Sequence, residues 1–267
     1  MPVTRTQQEK GAAFAALHAG APFVIPNPWD AGSARALAAL GFKALASTSS
    51  GFAFTLGRLD GDVTLDEVIG HVTVLDQATE LPLSADLENG YGPDPASAAW
   101  AIERAAAAGA VGGSIEDYDG GGYIYDLPHA AERITAAAEA AHGLGFAFML
   151  TARAENHIRG NPDLADTIAR LQAYEHAGAD VLYAPGLRST EEIQAVCEAV
   201  SKPVNVLAVP GLSFTDITQA GAQRVSVGGA LTWAAVMAMA QAATAIRDDG
   251  DFTALGARPP LGDWFAS

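Results

Sequence analysis

The sequence predicts an α/β fold, a closed (β/α)8 barrel of the TIM type with additional C-terminal helices, on three observations. A helix stop followed at once by a strand start recurs along the chain. The apolar runs so delimited number eight. They are spaced at roughly 20 to 40 residues, which mostly leaves room for one helix between neighbours. Alternating strands and helices specify a parallel sheet with helical crossovers. Eight such units in 267 residues fit a closed barrel better than an open doubly wound sheet.

In chain order, residues 5 to 19 read as a first helix, leading through Gly20 and Pro22 into the strand Phe23 to Pro26. The recurring pattern then appears as LAALGFKALASTSSG around Gly41, AAAAGAVGGSIED around Gly109, EHAGADVLYAPG around Gly178 and ITQAGAQRVSVGG around Gly221. Glycine adopts the left-handed conformation after a helix cheaply, so each instance is a stop followed by a strand. Two further strands are entered through Pro82 and Pro203, and FAFMLTAR follows the Gly143 to Gly145 break. The eight strands are expected to end near Asn27, Ser50, Glu88, Glu116, Arg153, Ala184, Leu207 and Val227. Gly51 to Gly61 is a long excursion on the side where barrels carry function. After strand eight, Gly228-Gly229 opens an apolar helix, Leu231 to Ile246, too apolar for a monomer's surface. Residues 1–267 therefore read as one domain whose helices from about 230 to 267 pack against another subunit of a homo-oligomer.

Composition narrows the partners. A hydrophobic content of 49% can fill a large core, and a net charge of −16 argues against nucleic acid and anionic membrane. No stretch reaches the roughly 18 apolar residues of a membrane span, and the N-terminus lacks a leader's apolar core. The lone Cys197 excludes an internal disulfide and fits a packed helix thiol in a reducing compartment. A cytoplasmic protein is expected.

The chemistry centres on SADLENGYG, Ser84 to Gly92. Residues two apart on a strand share a face, so Asp86 and Glu88 would project together, and Glu116 from SIED would join them from the next strand. Like charges held that close need a cation or a proton between them. A hard divalent ion, Mg2+ with Mn2+ as the other possibility, answers that need, against the alternatives of a cap or a hydrogen-bond network. Arg153, on the same face as Thr151, suits a carboxylate or phosphate, or a salt bridge to Glu116 or Glu155. The serines and backbone amides of Ser49, Ser50, Gly51 and Phe52 offer a second anion cradle. Lys10, Lys43 and Lys202 all fall away from this face, which leaves no Schiff-base lysine. Of the histidines only His129 and His157 read as loop residues, so a histidine metal cluster is not expected.

These segments, together with PWDAGSARALAALGF, TSSGFAFTLGRLDGD, TARAENHI, KPVNVLA and VSVGGAL, resemble the isocitrate lyase and phosphoenolpyruvate mutase superfamily over nearly the whole chain. The resemblance implies a (β/α)8 barrel, usually a tetramer that exchanges a C-terminal helix, which binds magnesium and a 2-oxo or 2-hydroxy acid. Bond breakage next to a carboxylate would run through an enolate held by the metal. It further implies Asp86 as direct metal ligand, with Glu88 and Glu116 acting mainly through metal-bound water. Asp60, in GRLDG, would orient the metal shell, Arg153 would contact the substrate carboxylate or oxyanion, and Asn205 would be a polar contact on strand seven. Ser50, Gly51 and Phe52 match the family's carboxylate cradle, followed by a loop about two residues shorter than in many members.

The departures point away from the best-known activities. The stretch DYDGGGYIYDLPHAAERI carries neither the cysteine and lysine of isocitrate and methylisocitrate lyases nor the lysine and asparagine of phosphoenolpyruvate mutase. Glu88 replaces the commoner Asp, and Ala184-Pro185-Gly186 stands where several lyases place a glutamate. The glycine run Gly120 to Gly122 reads as a mobile lid, with Tyr123, Tyr125 or His129 as candidate proton sources. The leading expectation is a magnesium-dependent carbon–carbon lyase or decarboxylase acting on a small 2-oxo or 2-hydroxy dicarboxylate. A phosphonopyruvate-type enzyme and an oxo-acid-binding barrel without turnover are the alternatives.

Overall fold

All eight expected strands form in a computed structural model of the chain, which describes residues 5–256 and 258–265. They are β1 (Phe23–Ile25), β2 (Leu45–Ala46), β3 (Leu83–Asp86), β4 (Gly112–Glu116), β5 (Met149–Arg153), β6 (Val181–Tyr183), β7 (Val204–Leu207) and β8 (Arg224–Ser226). Every ladder is parallel, and the order β1-β8-β7-β6-β5-β4-β3-β2 brings the first and last strands side by side. Between β1 and β2 closure rests on single contacts. Ala46 N donates to Pro26 O at 3.1 Å, and Asn27 Nδ2 donates to Ser47 O at 3.0 Å. Asn27 Oδ1 also accepts from Val227 N and Gly228 N, so one buried amide ties the ends of β1, β2 and β8.

The helices of the barrel are α1 (Gln7–His18), α2 (Ala31–Ala39), α3 (Ser49–Thr55), α4 (Leu65–Ala78), α5 (Pro95–Ala107), α6 (Leu127–His142), α7 (Leu164–His176), α8 (Thr190–Ala199) and α9 (Phe214–Gln219). Two more, α10 (Ala230–Asp249) and α11 (Leu261–Phe265), follow β8. Thr6, Thr64, Ser189 and Ser213 start their helices with capping boxes that satisfy otherwise orphaned amides. The stops at Gly41, Gly109, Gly178 and Gly221 hold φ between 91° and 108°, the left-handed conformation that the repeat implied. Alanine-rich α5 and α6 bury Ala98, Ala101, Ala105, Ala137 and Ala141 completely, and such small residues allow close helix packing around the sheet.

Three local expectations are corrected. Strand two does not reach Ser50: β2 ends at Ala46, and Thr48 caps α3, so Ser49 to Phe52 are helical. The Thr48 hydroxyl accepts from the Gly51 amide and offers that backbone a helical start instead of a strand ladder. Strand three stops at Asp86, and Glu88 sits in a turn with φ of 47°, which is uncommon for a residue other than glycine. His129 is not in a loop but in the first turn of α6, where Asp126 caps its amide. Cys197 is a packed thiol as expected, with burial pushing its pKa up to about 11.

Candidate active site

The ends of β3, β4 and β5, the loops that follow them and the loop after α3 converge at the carboxyl side of the barrel around a cavity of about 710 Å3. The register sets the site. Glu116 at the end of β4 lies opposite Arg153 at the end of β5, and Asp86 lies opposite Ser114. Leu87 is fully buried toward the helices, so Asp86 faces inward, where its Oδ1 accepts from Ser114 Oγ at 3.2 Å. Its Oδ2 accepts from the Ser49 amide at 3.2 Å, and its own amide donates to Ser47 Oγ.

Arg153 stands in the middle of the acidic groups, not across from them. Nη1 donates to Asp86 Oδ1 at 3.0 Å, and Nη2 lies 3.0 Å from Glu116 Oε2. Nε and Nη2 both grip Glu155 Oε1, at 3.1 and 2.8 Å. The other oxygen of Glu155 is held by Arg159, whose Nε and Nη2 are each 3.1 Å from Oε2. Glu155 is completely buried, and two guanidiniums divide its carboxylate between them. Arg153 packs on the face of Tyr183 at 5.3 Å, and Arg159 on the face of Tyr118 at 3.9 Å.

Below this layer Asn205 is buried and engaged: Oδ1 accepts from Arg224 Nε at 2.8 Å, and Nδ2 donates to Ser226 Oγ at 2.9 Å. Arg224 Nη2 reaches Thr151 Oγ1 at 3.0 Å, and Nη1 lies 3.2 Å from His18 Nε2. Burial first, and the Arg224 charge second, push the His18 pKa down to about 3, so the imidazole accepts as a neutral base. A second space of about 160 Å3 connects Ser49, Ser50 and Asp60 at the mouth with Arg153, Asn205 and Arg224 at this floor.

Of the residues singled out from the sequence, Asp60, Asp86, Glu88, Glu116, Arg153, Ser49, Ser50 and Asn205 all line one or both spaces. Gly51 and Phe52 line neither. The Gly51 and Phe52 amides are taken by Thr48, and the Phe52 ring stacks on His71 at 4.0 Å. A Cβ on Gly51 would come within 2.6 Å of Thr232 Oγ1, so Gly51 is small because the start of α10 presses on it. Sequence reasoning missed Arg159, Tyr91, Tyr118 and Arg224. A loop such as AENHIRG has no periodicity to say which way its arginine turns.

No group of three or more His, Cys, Asp and Glu side chains forms a ready metal-ligand set among the described residues. The donor chemistry nevertheless suits a hard divalent ion. Burial first, and then the neighbouring Asp86 charge, push the Glu88 carboxyl up to about 7, while the hydrogen bond from Tyr91 opposes the rise. A carboxyl group whose proton affinity is raised by burial and by a neighbouring carboxylate marks an oxygen-only site that a cation would relieve.

Over the segment 118–125, Tyr118 and Ile124 pair as an antiparallel bridge, and Asp119 Oδ1 accepts from the Gly121 and Tyr123 amides. The glycine run is thus a hydrogen-bonded turn over the cavity. Its far end is fastened by Asp117, whose carbonyl accepts from Tyr125 N and whose carboxylate binds Arg170 at 3.0 Å and Tyr174 at 2.5 Å.

The phosphoenolpyruvate phosphomutase family model matches residues 14–247. The crystal structure of a Burkholderia cenocepacia J2315 protein, provisionally named a lyase/mutase, superimposes with a TM-score of 0.94 at 51% identity, covering 98% of this chain and 97% of that one. An uncharacterised protein of Mycobacterium tuberculosis H37Rv is 34% identical over 86% of this chain and 87% of its own length. Oxaloacetate decarboxylase of Rhodopseudomonas palustris BisB5 is 29% identical over 70% of this chain and 66% of its own length. The parallel barrel, the acids at the ends of its third and fourth strands and the match across 14–247 agree, and the chain belongs to the phosphoenolpyruvate phosphomutase family, within the superfamily that also holds the isocitrate lyases.

Proposed function

We propose that the protein is a magnesium-dependent carbon–carbon lyase or decarboxylase for a small 2-oxo or 2-hydroxy dicarboxylate, with oxaloacetate the first substrate to test. The observation that carries this reading is Arg153, a largely enclosed cation among Asp86, Glu116 and Glu155 on the wall of the larger cavity. Relatives named for bond breakage in such acids, oxaloacetate decarboxylase among them, support the substrate class.

Asp86 would hold the ion directly, with Glu88 and Glu116 reaching it through water. When bound, a divalent ion supplies positive charge that draws electrons from the 2-oxo group as the neighbouring carbon–carbon bond breaks. Arg153 adds a fixed positive charge beside the oxygen on which negative charge develops, at no reorganisation cost because four hydrogen bonds and contacts already hold it. Ser49 and Ser50 orient the carboxylate end, and Asp60 faces both spaces from the loop after α3. The turn over 118–125 lies at the cavity, and of its hydroxyl groups those of Tyr118 and Tyr125 line the wall and would be the proton sources, whereas Tyr123 and His129 line neither space.

The test is a turnover screen of oxaloacetate, dimethylmalate, methylisocitrate and phosphonopyruvate with and without chelator. Release of pyruvate and carbon dioxide from oxaloacetate, abolished by chelator, is the expected outcome. Turnover of phosphonopyruvate alone would replace this reading with phosphorus–carbon chemistry.

A further inference from the structure

We infer that Arg159 binds the second carboxylate of the substrate, the one remote from the 2-oxo or 2-hydroxy carbon, and thereby selects dicarboxylates over monocarboxylates. This rests on the reading of the cavity as a site for 2-oxo or 2-hydroxy acids and goes beyond it by assigning the distal end.

Among the described residues only two cationic side chains line the larger cavity, Arg153 and Arg159. Their donors are not equally free. Every nitrogen of Arg153 already faces a carboxylate, and its side chain is 14% exposed. Arg159 spends Nε and one Nη2 proton on Glu155 and is 37% exposed. Its Nη1 makes no hydrogen bond with the described residues, which leaves the outer Nη2 proton, 3.9 Å from Glu116 Oε1 across the heavy atoms, and the parallel N–H of Nη1 as the edge open to a ligand. A planar fork with adjacent free donors is the shape that grips a carboxylate bidentately.

The fork is also held in place before any ligand arrives. Tyr118 lies against its face at 3.9 Å, and Glu155 fixes one edge. The turn that carries it is closed by Arg159 N to Glu155 O at 3.1 Å and Asn161 N to Asn156 O at 3.0 Å, with buried Asn156 anchored on Thr167. Serving as Glu155's counter-ion does not account for these features, because Arg153 already supplies one at 2.8 Å. The other charged groups of the wall are acidic: Asp60, Asp62, Glu88, Glu116 and Asp119. Away from Arg153, whose nitrogens are all taken by carboxylates, Arg159 is the one cation among the described residues of that wall that a second carboxylate could meet.

Racemic malate and lactate share the 2-hydroxy carboxylate head and differ in the distal carboxylate, so calorimetric binding of each to the Mg2+-loaded protein isolates the question. The wild type should bind malate more tightly than lactate. Arg159→Gln should weaken malate by about tenfold to a hundredfold while lactate changes by less than about twofold. Arg159→Lys, a point charge without the fork, should recover only part of the loss, and thermal melting reports that each variant is folded. Equal effects on both ligands, or malate binding unchanged in Arg159→Gln, would overturn the assignment. If neither acid binds the wild type, the reading of the cavity falls first and this one with it. If both bind equally well, only the assignment of Arg159 falls.

Discussion

Arg153 and Asp86, 67 positions apart in the chain, meet through a hydrogen bond of 3.0 Å between Nη1 and Oδ1. This contact places the cation inside the acidic group, so removing it exposes three carboxylates to one another, one of them fully buried. Breaking a buried ion pair from one side destabilises by about 3 to 5 kcal/mol. Arg153→Ala should therefore lose both turnover and stability in urea, whereas Arg153→Lys should regain stability more than activity. An alanine variant as stable as the wild type would show that the cluster is solvated.

Asp86 is the acid whose loss should be felt first in metal binding. Asp86→Asn keeps the size and one acceptor oxygen, for Ser114 and Arg153 on the Oδ1 side, but removes the charge and the acceptor that faces the Ser49 amide. Titration of the protein with Mn2+ in a calorimeter should show at least about a tenfold weaker affinity for this variant, since hard divalent ions depend on carboxylate charge. Glu116→Gln should weaken it less, because Glu116 faces Arg153 and would act through water. Equal affinities for the wild type and Asp86→Asn would move the ion elsewhere.

Gly51 offers a separate check on the cradle. An added methyl group would stand 2.6 Å from Thr232 Oγ1 and 2.7 Å from Thr48 Cγ2, so the start of α3 or of α10 must shift. Overpacking of this kind costs about 1 to 3 kcal/mol. Gly51→Ala should lower the urea midpoint and raise KM for oxaloacetate more than it lowers kcat, because Ser49 and Ser50 are displaced with the helix. A normal KM in a destabilised variant would remove the cradle from substrate binding.

Four of the eight strands were legible because their helices stop at a left-handed glycine, Gly41, Gly109, Gly178 and Gly221, and Pro82 and Pro203 announce two more after the extended stops at Thr79 and Val200. The acids were legible through strand parity, which holds for Asp86 and Glu116. It fails at Glu88, where the strand has already ended and a turn re-aims the side chain. Ser49 to Phe52 misled for a related reason: a serine-rich segment after a strand is as ready to cap a helix as to line a loop, and Thr48 decides for the helix. Arg159 and Arg224 were invisible because their direction is set by tertiary contacts with Glu155, Tyr118, Asn205 and Thr151.

His71 gives the pH dependence of this support. Its ring stacks on Phe52 and its Nε2 lies 3.0 Å from Trp29 O, and burial pushes its pKa from 6.5 down to about 4. The unfolded chain takes up a proton below pH 6.5 while the native state refuses it until about pH 4, so stability is full above 6.5 and is lost as pH falls toward 4. Over that window the group contributes about 3 kcal/mol of acid sensitivity. His71→Gln, which can still donate to Trp29 O, should flatten the change in urea stability between about pH 7.5 and 4.5 by that order. Parallel slopes in the two proteins would show that His71 titrates normally.

The last prediction concerns α10, of whose 20 residues only Thr232 is buried. Met237 and Met239, on opposite sides of the helix, are 56% and 61% exposed, and Trp233 is 42% exposed. A helix that is apolar on all sides belongs inside a larger assembly, and we propose that a second copy of the chain surrounds it. Light scattering should then find the wild type oligomeric at micromolar concentration. Met237→Glu combined with Met239→Glu should be monomeric with the barrel's circular dichroism intact. The start of α10 also presses on the cradle: a Cβ on Gly229 would meet Ser50 Oγ at 2.6 Å, and Thr232 abuts Gly51. Freeing the helix should therefore raise KM for the substrate as well as halve or quarter the mass. A wild type that scatters as a monomer would leave α10 to some other partner and uncouple it from the site.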